Sequence, residues 1–144
     1  MKTVIIFFWI YSAMLSMSFW EAYSEGRNAW DKGKAGWKIK ISKNLTLTGY
    51  HFFLFIIMWP LVLSLPLITH GWDKELFRVL ATAYFSGVVI QDFGWYVVNP
   101  KVKLSEFWTE FSDYYPWLKI RKRKIIPWGY IIAIMISIII WFMI

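Results

Sequence analysis

Long apolar runs alternate with short polar stretches along this chain. Thr3 to Trp20, TVIIFFWIYSAMLSMSFW, is followed after a basic segment by Tyr50 to Ile68, YHFFLFIIMWPLVLSLPLI, then by Leu76 to Val98 and Ile126 to Ile144. Runs near or above about 18 residues suit a bilayer, whose hydrocarbon core is about 30 Å thick while a helix rises about 1.5 Å per residue. The pattern predicts four membrane-spanning helices over 3–20, 50–68, 76–98 and 126–144, within one domain covering 1–144. The expected fold class is therefore all-α, an integral membrane four-transmembrane-helix bundle. The first run is long for the apolar part of a secretory signal, so it is read as a span.

Punctuation inside the runs refines this. Pro60 and Pro66 lack an amide proton, which frees the carbonyls of Ile56 and Val62 in an α-helical register and predicts a kink in the second span. Asn99-Pro100 stops the third span, and Pro127 suits the first turn of the fourth. Between these two spans, KVKLSEFWTEFSDYYPWLKIRKRK places Leu104, Phe107, Trp108 and Phe111 on one face at helical spacing. That pattern predicts an amphipathic helix lying at the membrane interface, with Tyr114, Tyr115 and Trp117 as anchors.

Composition supports a membrane setting, with 58% hydrophobic and 22% aromatic residues. The net charge of +7 does not point to nucleic acid, because the cations gather in two loops. Arg27, Lys32, Lys34, Lys38, Lys40 and Lys43 lie in loop 21–48, and Lys101, Lys103, Lys119 and the run Arg121, Lys122, Arg123, Lys124 in loop 101–124. Positive loops stay inside, so both loops are expected to be cytoplasmic and both termini outside, in a cell or plasma membrane. Arg121 to Lys124 are the candidate contacts for anionic lipid headgroups. On this topology the sequon at Asn44 is accidental, and Thr46 or Thr48 becomes a candidate helix cap.

The chain has no cysteine, which removes thiolate chemistry and leaves His, Asp and Glu as metal ligands. Asp92 stands inside the third span, where a charge costs about 2.5–3.5 kcal/mol at the centre and less near an interface. Glu21, Glu25 and His51 fall at the same depth. The four form the candidate site, with all of them as possible ligands of a divalent metal and Asp92 and His51 as acid–base residues. Asn28, four-and-three spaced from the glutamates, together with Asn99 and Gln91, would support them. A simpler alternative pairs Asp92 with Arg27 or a loop-one lysine to hold helices together. His51 and His70 lie at opposite ends of one span and cannot share an iron, so haem is not expected.

Ala83, Gly87 and Gly94 form a small-residue stripe nearly opposite Asp92, which suggests close helix approach and a homo-oligomer. An acid–base or metal site acting on a lipid or small substrate, an oligomeric ion channel or transport subunit, and a lipid-binding scaffold are the functions these features allow. The segments EGRNAW (Glu25 to Trp30), GYH (Gly49 to His51) and QDFGWYVVNP (Gln91 to Pro100) resemble an uncharacterised family of small polytopic prokaryotic membrane proteins. An acidic pair often stands there at the positions of Gln91 and Asp92, so this chain departs at the first. The resemblance implies a membrane fold and no particular activity.

Overall fold

The computed structural model describes residues 2–42 and 45–143 and is mostly helical. Its elements in chain order are helix α1 (Lys2–Glu25), strand β1 (Lys38–Lys40), strand β2 (Thr46–Thr48), helix α2 (Gly49–His70), helix α3 (Lys74–Val98), strand β3 (Trp117–Ile120), strand β4 (Arg123–Pro127) and helix α4 (Trp128–Met143). Three of the helices, α1, α2 and α3, are long and apolar enough to cross a membrane, while α4 is apolar and shorter. Lys43 and the sequon residue Asn44 lie outside the described residues.

α3 is the centre of the bundle, with α1 and α4 packed on it. Small residues set the approach of α1. A Cβ on Gly87 would sit 3.1 Å from Met14, and one on Gly94 would sit 2.6 Å from the Ser18 hydroxyl oxygen. Ser18 donates to the carbonyls of Gln91 at 2.7 Å and of Met14 at 3.2 Å. The stripe of Ala83, Gly87 and Gly94 is thus covered by α1 within the chain, and it gives no support to the expected oligomer.

α2 leans on the others and buries no residue after Gly49 at its start. Its stretch Phe52–Met58 is a π-helix, and Trp59 N–H bonds to Leu54 O, five residues back. In that register Pro60 should serve Phe55, but proline has no proton to give. The Tyr84 hydroxyl of α3 donates to Phe55 O in its place. The freed carbonyl is therefore one residue earlier than the α-helical register predicts. At the start of α2, Thr48 is the N-cap, its Oγ1 accepting from His51 N at 3.3 Å.

Two expectations about the third loop fail. No long amphipathic helix forms; short 3₁₀ turns at Leu104–Trp108 and Glu110–Ser112 lead into the antiparallel hairpin β3–β4. The reason is aromatic burial from several directions at once. Phe107 and Trp117 are buried with Tyr115, Val102, Trp95, Tyr96 and Ala22 in one cluster, and a single helical stripe cannot supply that shape. Pro127 is the last residue of β4, paired with Trp117, and does not open the fourth helix. The result is an aromatic cap seated on the end of the bundle where α1 ends and α2 begins.

Candidate functional site

α1 continues through Glu25 and stops at Gly26, whose φ of +59° suits the left-handed residue that ends a helix, its N–H reaching Ala22 O at 3.1 Å. Glu21 and Glu25 therefore stand one turn apart on one face. His51 is on the first turn of α2, and Asp92 is near the end of α3. All four line one cavity of about 30 Å³, completed by Ala29, Trp30, Trp95, Tyr114 and Tyr115. The expected gathering of the four ionisable residues at one depth is what the fold delivers.

Their partners differ from those expected. Asp92 is not paired with Arg27, a lysine or His51. Its Oδ2 accepts from Tyr115 at 2.5 Å and from the Tyr130 hydroxyl of α4. Glu21, only 6% exposed, accepts from the Tyr50 hydroxyl on one oxygen and from Gln91 Nε2 on the other. Glu25 takes the one lysine, Lys34, at 2.5 Å. Among the described residues, no three His, Asp or Glu side chains come close enough together to hold one metal ion. The metal-ligand set Glu21, Glu25, His51, Asp92 is thus not assembled for chelation: phenol and amide donors take both oxygens of Glu21, two phenols take Oδ2 of Asp92, and Lys34 takes Glu25.

Trp30 closes one side of the cavity. Its indole stacks on His51 with ring centroids 4.1 Å apart and on Tyr114 at 5.7 Å, and its Nε1 donates to Thr46 O at 2.8 Å. It holds φ at +58°, a conformation that a bulky side chain adopts only when its surroundings impose it. His51 Nδ1 lies 2.7 Å from Thr48 Oγ1. The same Thr48 oxygen accepts from the His51 amide, so one side chain fixes both the start of α2 and the plane of the imidazole. Trp95 lines the same cavity and is buried.

The tyrosines that reach in from the third loop are held in the protonated form. Burial pushes the hydroxyls of Tyr114 and Tyr115 well above the usual tyrosine range, so both keep their protons and Tyr115 donates to Asp92. Tyr114 and Tyr96 share a hydrogen bond beside them. The loop itself is tied to α1 by Arg27, which donates to Lys101 O at 2.7 Å and to both oxygens of Glu106 at 3.1 and 2.7 Å. That hydrogen bond, with the Lys103 amide behind it, holds the Glu106 carboxyl down at about 2.

Of the three supporting residues, only Gln91 touches the site. Asn28 lies past the break at Gly26 and is exposed, its carbonyl accepting from Lys34 at 3.1 Å. Asn99 caps the end of α3, bonding Gly26 O at 2.8 Å and accepting from Lys101 N at 2.8 Å. Sequence reading missed Tyr50, Tyr130, Trp30 and Lys34, and it assigned Tyr114 and Tyr115 to the lipid interface. The available signal was chemical: a carboxylate inside a span demands donors, and phenols dominate the apolar segments nearby. No family model, curated protein or solved structure matches this chain.

Proposed function

We propose that this chain is a small integral membrane protein, crossing the bilayer four times, with a proton-exchanging acid–base site at its cytoplasmic end. The observation that carries it is charge. Glu21 and Asp92 share the cavity with His51, and neither carboxyl has a Lys or Arg partner among the described residues. Moving a carboxylate out of water without a cation costs several kcal/mol, which hydrogen bonds from neutral donors offset only in part. Something positive must enter, and size decides what. A volume of about 30 Å³ holds one or two waters, so a proton and its carrier water fit where a lipid or metabolite does not.

The four-span reading has support in charge and length. Both basic loops leave the same end of the bundle as the site, which supports a cytoplasmic position for that end and outside positions for both termini. Trp128–Met143 has 16 residues, about 24 Å of helix, a modest mismatch that bilayer thinning accommodates. Toward the other end, Ser86 and Tyr11 bond to each other at 2.8 Å. Polar groups spent on one another favour local proton exchange over a conducting path.

A proton count tests this. Weakly buffered, detergent-solubilised protein is acidified stepwise beside the Glu21→Gln/Asp92→Asn double variant. The wild type binds up to about two protons per chain more than the variant; superimposable curves reject the site.

A further inference from the structure

The tip of hairpin β3–β4 carries a second kind of site. β3 and β4 pair as far as Ile120 opposite Arg123, so Arg121 and Lys122 alone form the turn. Their φ angles are +47° and +66°. A two-residue turn with both φ positive is the type I′ geometry, which Asn-Gly fills best and which long cationic side chains fill poorly. The hairpin thus holds two cations at its outermost point against local backbone preference.

Lys119, Arg121, Lys122 and Arg123 are all exposed, and among the described residues none has a carboxylate within ion-pair distance. Lys124 is different. It turns inward to Asp113 at 2.7 Å and to the Ser112 hydroxyl at 3.2 Å, and it fastens the hairpin to the 3₁₀ turn. Between hairpin and turn runs a groove of about 750 Å³, bounded by Trp108, Lys119, Lys122 and Arg123 with Glu110 on its rim. Exposed Ile120 and Ile125 lie on the strands next to the cations, exposed Trp128 stands at the base of the hairpin, and α4 follows directly from β4.

We propose that this hairpin is a docking surface for anionic phospholipid headgroups, with Lys119, Arg121, Lys122 and Arg123 meeting the phosphates and Ile120 and Trp128 entering the acyl boundary. Charge supplies the partner: cations without counterions attract an anionic leaflet. The exposed apolar residues beside them select a membrane over a soluble anion, because only a bilayer offers both chemistries within one side-chain length. The proposal rests on the membrane-spanning reading above and is independent of the proton site. It also removes Lys124 from the expected lipid-contacting set.

The test uses full-length protein in nanodiscs of phosphatidylcholine with phosphatidylglycerol, with retained lipids counted by native mass spectrometry. The variant Arg121→Asn/Lys122→Gly removes both tip charges while giving the turn its preferred residues, so the hairpin keeps its fold. The wild type retains phosphatidylglycerol preferentially, and the variant loses about fivefold of that preference for each cation removed, with its unfolding midpoint unchanged or higher. Equal retention of both lipids by the wild type, or an unchanged preference in the variant, overturns the proposal. Displacement of the retained lipid by excess inorganic phosphate overturns it too, since it would mark a plain anion site. A proton count equal to wild type in this variant keeps the two proposals separate.

Discussion

The Tyr115 hydroxyl lies 2.5 Å from Asp92 Oδ2, so a residue of the third loop supplies what α3 cannot provide for its own buried carboxyl. Tyr130 approaches the same oxygen from α4. One carboxyl therefore joins a helix, a loop and the next helix, and the loop's folded form is as much a requirement of the site as of the aromatic core.

Removing either donor should cost stability. A hydrogen bond contributes about 0.5–1.5 kcal/mol, and about 1.5–3 kcal/mol when its acceptor is charged, so Tyr115→Phe and Tyr130→Phe each lower the unfolding free energy by an amount in that range, read as a fall in the denaturant midpoint, and the pair lowers it by more than either alone. Asp92→Asn keeps an acceptor for both phenols and is milder than Asp92→Ala. Equilibrium unfolding in detergent, followed by helix content, checks the order.

The π-helical stretch of α2 gives a second prediction. Tyr84→Phe leaves the Phe55 carbonyl without a donor, at about 1–3 kcal/mol. In a Pro60→Ala background the backbone recovers its own amide, so the same Tyr84→Phe change becomes nearly neutral. A double-mutant cycle reads the coupling directly.

Much of this was legible in sequence and some was not. The apolar runs located the long helices because a bilayer fixes their length. The depth of Asp92, Glu21, Glu25 and His51 followed from where those runs end, and the four-residue spacing of the glutamates placed them together. What failed was the register of nonlocal partners. Leu104, Phe107, Trp108 and Phe111 carry a helical period, yet only Phe107 of the four is buried, since Trp117 and Tyr115 compete for the same core. Periodicity reports one face, and the third loop buries several. Gln91 was expected to support the site from its place beside Asp92, and its amide is the donor that holds Glu21.

Glycine contacts separate packing from propensity. Gly94→Ala puts a methyl 2.6 Å from Ser18 Oγ and should destabilise by about 1–3 kcal/mol through forced separation of α1 and α3. Gly129→Ala, with nothing within 4 Å, should be neutral or stabilising by up to about 1 kcal/mol. Thermal unfolding of the two variants side by side makes the comparison.

The tie between Arg27 and Glu106 predicts a pH response. Glu106 titrates at about 2, below its ordinary 4.5, so whatever it contributes is present above pH 4.5 and is lost as pH falls toward 2. Arg27→Gln removes the principal donor and moves the midpoint back toward 4.5. Carbon-13 NMR of labelled glutamate carboxyls measures that movement.

Proton exchange between the cavity and the Asp92 and Glu21 carboxyls is the proposal on which the function rests. Infrared difference spectroscopy across a pH step, on protein reconstituted in bilayers, tests it most directly through the carboxylic C=O stretch. The wild type gives difference bands that lose one component in Asp92→Asn and another in Glu21→Gln, with Tyr115→Phe shifting the Asp92 component. A wild-type spectrum with no carboxylic band, or bands identical in all variants, would contradict it.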